Sequence, residues 1–330
     1  MSERTAAPRP PVVVVTGPTS AGKTTLAIEL ALRFEGEIVN ADSMQVYRFM
    51  DIGTAKPTRE QQARAPHHLI DVVAPDAPYS AGRYAREARA AAAAIHGRGK
   101  LVLLTGGTGL YIRAFLEGLL DGGEADPELR AELEREHARA AAEGDPERLH
   151  RRLRQLDPDA ARGVHSHDLR RTLRALEICL RSGAPASEQR REHGFADRPY
   201  RSLHLAIDPG RAALDARIDA YCREMIERGL LQEVRSLRDR GYGPELRPMA
   251  AIGYRHMQPV VEGRATLADA LVEMQRDTRR FARRQRTWLR KVSEALWADP
   301  RDRDQILKTV EAFLRDARVE GQGLDSRASS

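Results

Sequence analysis

One short stretch constrains this chain more than any other. Gly17-Pro18-Thr19-Ser20-Ala21-Gly22-Lys23-Thr24 fits G-x-x-x-x-G-K-[ST], the phosphate-binding loop. The flanks suit it. Val12-Val13-Val14-Val15 reads as a buried strand, and Leu26, Leu30 and Phe34 then recur at helical spacing. Strand, glycine-rich turn and helix are the order the motif requires. Glycines let backbone N–H groups close on phosphate oxygens at a helix N-terminus. Lys23 adds a point charge, and Thr24 offers a hydroxyl to a magnesium ion. A tight turn between core elements would look similar in isolation. The loop says nothing about what the phosphates are attached to.

The βα rhythm continues. Glu37-Ile38-Val39-Asn40-Ala41-Asp42 reads as a second strand ending in a carboxylate, and Lys100 to Thr105 as another ending at Gly106-Gly107. A helix over Ser80 to His96 lies between them. This alternation predicts a P-loop-type parallel sheet flanked by helices, an α/β fold with its site at the C-terminal strand ends. From about Gly122 the texture turns helical and rich in Arg and Glu, with breaks at Gly144-Asp145-Pro146, Asp157-Pro158 and Ser182 to Pro185. Ser202 to Ile207 then reads as a strand returning to the sheet. We therefore expect a P-loop core over 1–121, an inserted helical subdomain over 122–200, a return to the core over 201–317, and a disordered tail over 318–330.

Composition excludes several classes. No apolar stretch reaches the ~18 residues of a membrane span. The Val run is too short for a signal-peptide core, so we expect no export signal. Two distant cysteines, Cys179 and Cys222, suggest neither zinc nor a disulfide framework, and point to a reducing cytoplasm. The net charge of +6 is mild for 330 residues, but its placement is not even. Arg276, Arg279, Arg280, Arg283, Arg284, Arg286, Arg290 and Lys291 are opposed within their run by Asp277 alone. That run is either a solvated helix face or a surface for an anionic polymer, nucleic acid being the usual one.

Several residues carry chemical alternatives. Asp42 could hold magnesium, act as a general base, or cap a turn. The strand ending in Thr105-Gly106-Gly107-Thr108-Gly109 lacks the aspartate expected of an ordinary P-loop ATPase, which favours a specialised transfer site. The pairs His67-His68 and His165/His167 have no acidic or cysteine cluster nearby at ligand spacing and read as surface or hydrogen-bonding groups. Leu169, Leu173, Leu176 and Leu180 form an apolar stripe, with Arg170, Arg171 and Arg174 off it. Those arginines are either a solvated face or contacts to a phosphate backbone. Phe281 and Trp288 share a face and read as core contacts before base-stacking platforms.

Together the motifs resemble the bacterial tRNA dimethylallyltransferases (tRNA isopentenyltransferases). The likeness rests on the phosphate loop, Ala41-Asp42-Ser43-Met44-Gln45-Val46-Tyr47, Met50 to Pro57, Pro66 to Asp71, Gly106 to Tyr111, Ile252-Gly253-Tyr254-Arg255 and Arg283 to Arg290. The resemblance implies transfer of a dimethylallyl group from its diphosphate to N6 of the adenine 3′ of the anticodon, position 37 of the tRNA. It implies catalytic roles for Asp42, Thr108 and Lys23, with Gly17 to Thr24 binding diphosphate and Mg2+ as cofactor. It maps tRNA contacts onto Asp42, Ser43, Met44, Gln45, Thr108, Arg130, Arg170, Arg171, Arg174, the segment Ala250 to Arg255, Arg283, Arg284, Gln285, Arg286, Trp288 and Arg290. At Ala250 this chain has no polar side chain where many members carry one. The expected partners are the tRNA anticodon stem-loop and dimethylallyl diphosphate, and we expect a monomer. A P-loop small-molecule or nucleotide kinase is the alternative, and it leaves the late arginines unexplained. An RNA-binding protein with a vestigial loop is a third, opposed by intact Lys23, Thr24 and Asp42.

Overall fold

The structure, a computed structural model, describes residues 9–119, 126–193 and 198–328. In chain order the first elements are β1 (Pro11–Thr16), α1 (Lys23–Arg33), β2 (Gly36–Asn40), α2 (Arg59–Arg64), β3 (His67–His68), α3 (Ala81–Gly97), β4 (Leu101–Gly106) and α4 (Gly109–Glu117). Five helices follow: α5 (Pro127–Ala142), α6 (Arg148–Leu156), α7 (Pro158–Arg162), α8 (Leu169–Ser182) and α9 (Ala186–His193). The rest comprises β5 (Arg201–Ile207), α10 (Arg211–Glu227), α11 (Leu230–Asp239), α12 (Tyr254–Val261), α13 (Leu267–Leu289), β6 (Ala295–Ala298) and α14 (Arg303–Ala328), with a 3-10 turn at Arg247–Ala250.

The six strands form one parallel sheet in the order β3-β2-β4-β1-β5-β6. Val12 to Val15 at its centre are wholly buried, as are Val102 to Leu104 of β4. A parallel sheet covered on both faces needs such continuous apolar strands. The register Thr16↔Gly106 and Asn40↔Thr105 brings the C-terminal ends of β1, β2 and β4 level with one another. β3 and β6 were not anticipated. Two to four residues at a sheet edge are too few to show a period.

The chain divides into two compact units, Met1–Leu116 with Pro199–Ser330, and Glu117–Arg198. The expected boundary near Gly122 lies outside the described residues. Phe115 and Tyr200 flank the insertion in sequence, and their rings stack at 4.6 Å with planes 6° apart. The inserted unit has its own apolar core, built around Leu133, Leu149, Leu153, Leu173 and Leu176. Its turns follow the breakers seen in sequence. Asp157 caps α7 through a 2.9 Å bond from the Ala160 amide, and Gly183 ends α8 at φ 70°. Leu180, read as part of the apolar stripe, is 37% exposed, and the buried side of the helix also takes in Thr172, Ala175 and Cys179.

Two further expectations are corrected. The tail read as disordered is helical as far as Ala328, since α14 runs on from a first half docked by Ile306 and Val310. Phe281, read as a core contact, is 38% exposed beneath the Arg284 guanidinium. Among the described residues, no helix is long and apolar enough to cross a membrane.

Candidate active site at the strand ends

The phosphate loop leaves β1 and enters α1 at Lys23. Its first glycine is forced by packing, because a Cβ on Gly17 would lie 2.4 Å from the Ile207 carbonyl oxygen of β5. Ser20 and Gly22 take left-handed φ values of 61° and 95°, turning the loop tightly before the helix. The Lys23 ammonium donates to the loop's own Pro18 carbonyl at 2.7 Å. Burial lowers its pKa to about 8, against the opposing pull of the Asp42 carboxylate.

Asp42 sits just beyond β2, on the other side of β4. Asn40 holds it in place: its carbonyl oxygen accepts the Asp42 amide at 3.0 Å, and its NH2 donates to the Asp42 and Leu69 carbonyls. Burial raises the Asp42 pKa above the ordinary carboxylate value. The amides of Met44 and Gln45 and the charge of Lys23 pull the other way. The Met44 amide donates to Oδ1 at 2.9 Å. The two charges act on each other across β4, and a buried carboxylate whose pKa is raised is a candidate proton acceptor.

The glycines after β4 now have a physical reason. A Cβ on Gly106 would come within 2.2 Å of the Ala41 carbonyl carbon, so the backbone leading to Asp42 crosses there. Gly107 leaves room for the Gln285 side chain, and Gly109 for the Trp288 ring. Thr108 ties the crossing together. Its amide donates to Ala41 O at 3.1 Å, and its hydroxyl accepts the Ser43 amide at 3.0 Å and donates to Ser43 Oγ at 3.2 Å. The departure from an ATPase-like strand end thus positions Asp42.

Three hydroxyl oxygens at these strand ends, Thr16 Oγ1, Ser20 Oγ and Thr105 Oγ1, are buried without a hydrogen-bond partner. Thr24 and Thr105 share a small cleft with Asn40 and Gln45. A donor set of hard oxygens fits a polyoxyanion and the hard cation that travels with it. Among the described residues, no group of three or more His, Cys, Asp or Glu could hold a metal ion by itself.

The structure sorts the residues mapped to tRNA. Arg283 and Arg284 on α13 and Arg290 just past its end are exposed, and none of the three forms an ion pair among the described residues. Gln285 is buried and braces the phosphate loop instead. Its oxygen accepts the Thr19 amide at 2.9 Å and its NH2 donates to Gly107 O at 3.2 Å. Arg286 pairs with Asp208 at 2.8 Å, and Trp288 packs half-buried on Gly109. Tyr254 is wholly buried and Gly253 buried beside it, leaving Arg255 as the exposed member of that trio. Arg255 in turn pairs with Asp277 at 2.7 Å. In the inserted unit, Arg130 pairs with Glu177 at 2.9 Å and Glu134 at 3.0 Å. Arg174 lies 3.4 Å from Glu177, and Arg170 and Arg171 are exposed.

Sequence reasoning missed Asn40, Gln285 as a loop brace, and Arg217, whose guanidinium on α10 lies 3.5 Å from the Ala21 carbonyl of the phosphate loop. Asn40 was visible as the polar residue ending β2. Nothing in the spacing of Arg217 or Gln285 points to a loop more than a hundred residues away.

A family model described as IPP transferase matches residues 45–292, and one described as isopentenyl transferase matches residues 10–75. The chain is 46% identical to tRNA dimethylallyltransferase 2 of Syntrophus aciditrophicus, over 93% of this chain and 97% of that one. Among solved structures it is similar to the full-length tRNA isopentenylpyrophosphate transferase of Bacillus halodurans, with 35% identity and a TM-score of 0.68 over 96% of this chain and 99% of that one. It is also similar to a eukaryotic dimethylallyltransferase solved acting on tRNA, with 29% identity and a TM-score of 0.77 over 88% of this chain and 74% of that one. With this extent of match, the chain belongs to the IPP transferase family of tRNA dimethylallyltransferases.

Proposed function

We propose that this enzyme transfers a dimethylallyl group from dimethylallyl diphosphate to the exocyclic N6 of the tRNA adenine 3′ of the anticodon, position 37, releasing diphosphate. The observation that carries the reading is the placement of the buried Lys23, at the phosphate loop after β1, and the buried Asp42, just beyond β2, at the ends of strands on either side of β4. In the reaction an N6–carbon bond forms as the carbon–oxygen bond to diphosphate breaks. The N6 lone pair is delocalised into the purine ring, so the amine is a weak nucleophile until Asp42 accepts its proton. The departing diphosphate takes the electron pair, and the loop amides and the Lys23 ammonium stabilise its charge. Magnesium, when bound with the diphosphate, would offset more of that charge, and Thr24 is the residue to hold it. Thr108 keeps Ser43 and the Asp42 turn in place.

In this reading the exposed Arg283, Arg284 and Arg290, together with Arg170 and Arg171, meet tRNA phosphates. N6 lies on the Watson–Crick edge, so the adenine must leave its stack to enter a site at strand ends. A reducing cytoplasmic location belongs to the same reading, supported by Cys179 and Cys222 being buried thiols.

The test is incubation with unmodified tRNA and either dimethylallyl diphosphate or ATP, followed by analysis of the nucleosides. Prenylated adenosine at one loop position, formed with the prenyl donor alone, is expected. Phosphate transfer from ATP with no prenylated product would replace the reading with a kinase.

A further inference from the structure

We infer that Glu233 of α11 is a positioning residue for the Asp42 turn, acting through the loop Asp51 to Lys56 and the side-chain amide of Gln45. Its carboxylate is saturated by four donors. Oε2 accepts the amides of Asp51 at 3.1 Å and Ile52 at 2.8 Å. Oε1 accepts the amide of Gly53 at 3.2 Å and the hydroxyl of the buried Tyr254 at 2.6 Å. Three consecutive backbone amides on one carboxylate form an anion nest built by the chain for its own side chain. No other described acceptor takes them.

The loop transmits this restraint. Ala55 N donates to Ile52 O at 3.1 Å and Lys56 N to Asp51 O at 3.0 Å, so fixing residues 51–53 also fixes the carbonyls of Thr54 and Ala55. Those two carbonyls receive the NH2 group of Gln45, each at 3.1 Å. Gln45 ends the turn whose amides solvate the Asp42 carboxylate. The loop needs outside help to keep its shape. Ala55 sits at φ 56°, a left-handed conformation that costs a residue with a Cβ, and such strain persists only where surroundings enforce it. Gly53 is pressed so closely on Tyr254 that a Cβ would lie 2.4 Å from its ring. Lys56 provides the second anchor, its ammonium donating to Asp51 at 2.5 Å, Asp71 at 2.6 Å and Tyr47 O at 2.9 Å.

Glu233 touches neither the loop that would bind diphosphate nor Asp42, so its effect is on geometry at the reacting centre. Small misplacements of a reacting group cost rate steeply. The inference rests on the reading of Asp42 as proton acceptor. The experiment uses the full-length enzyme with tRNA and dimethylallyl diphosphate. Glu233→Gln preserves shape but turns an NH2 group toward either two amides or the Gly53 amide. It should lower kcat about 10-fold while donor KM and tRNA affinity stay within about twofold. Amide hydrogen exchange should quicken at 51–53 and also at Met44 and Gln45. Tyr254→Phe removes one donor and leaves the three amides, so it should show the same pattern more weakly. Wild-type kcat in Glu233→Gln, or a fall in kcat without faster exchange at Met44 and Gln45, would overturn the inference. Asp42→Asn, measured alongside, separates the two ideas. If that variant keeps its turnover, the reading of Asp42 fails, whatever the exchange data say of Glu233.

Discussion

Gln285 accepts the backbone amide of Thr19 at 2.9 Å, which joins the basic helix α13 directly to the phosphate loop. The same side chain donates to Gly107 O, so one amide group braces two of the three strand ends that make the site. A residue that resemblance assigns to tRNA is thus bonded to the phosphate loop.

Gln285→Ala should therefore weaken binding of inorganic diphosphate by about 3- to 10-fold, the worth of a hydrogen bond or two. Its affinity for tRNA should stay near that of the parent. Calorimetry with each ligand checks both. Weakened tRNA binding with diphosphate binding intact would return Gln285 to the RNA surface.

The pH profile of kcat/KM should be bell-shaped. Burial raises the Asp42 pKa, so its base form is lost as pH falls, at a higher pH than for an ordinary aspartate. Burial lowers the Lys23 pKa to about 8, so its cation is lost as pH rises through that value in the ligand-free enzyme. Lys23→Arg should move the alkaline limb beyond the measured range and leave the acid limb in place. Asp42→Asn should lose at least ~10²-fold in turnover, the low end for a general base. An alkaline limb unchanged in Lys23→Arg would mean that another group sets it.

Much of this site was legible beforehand. The phosphate loop announced itself because its glycines and lysine are contiguous and local chemistry dictates them. The sheet was legible because buried parallel strands must be apolar runs, as Val12 to Val15 are. Asp42 was legible as the carboxylate at a strand end. The braces were not. Gln285 to Thr19 and Arg217 to Ala21 join residues that only the folded chain makes neighbours, and neither side chain differs in type from many surface residues. Arginine was the least readable residue of all. Arg284 and Arg255 look alike in sequence, yet one is exposed beside Phe281 and the other is engaged by Asp277.

That difference should appear in the salt dependence of tRNA binding. Arg284→Ala should reduce the slope of log K against log salt by roughly 0.7–0.9, the release of one phosphate's counterions. Arg255→Ala should reduce it less, because Asp277 already offsets that charge, along with Arg276 and Arg280. Filter binding across a salt series decides. Equal slopes for both variants and the parent would make α13 a solvated face.

Glu37 should govern stability in acid. It is 4% exposed on β2, with Arg98 and His68 each at 2.7 Å and Lys100 at 3.3 Å. Burial would raise its pKa, but hydrogen bonds from Arg98, His68 and Lys100 outweigh that and hold it near 2 rather than 4.5. A lowered folded-state pKa contributes stability that is complete above the ordinary value. It is lost as pH falls from 4.5 through about 2. The contribution is on the order of 3 kcal/mol. Glu37→Gln should destabilise the protein at neutral pH and flatten denaturation midpoints across that acid window. An unchanged acid limb in this variant would assign the loss of stability to other carboxylates.

The position of β5 has a consequence for how the chain is made. β1 lies between β4 and β5, yet β5 is synthesised only after the whole of Glu117–Arg198. At about 5–20 residues per second, one edge of β1 waits on the order of ten seconds for its partner. During that interval the edge is a template for wrong pairing, and the inserted unit, with a core of its own, has time to fold. Stacking of Tyr200 on Phe115 then closes the long excursion beside β1. Gly17 rests against Ile207, so the phosphate loop gains its last wall only when β5 arrives. A ribosome carrying the first half of this protein holds the complete nucleotide-style motif and no working site.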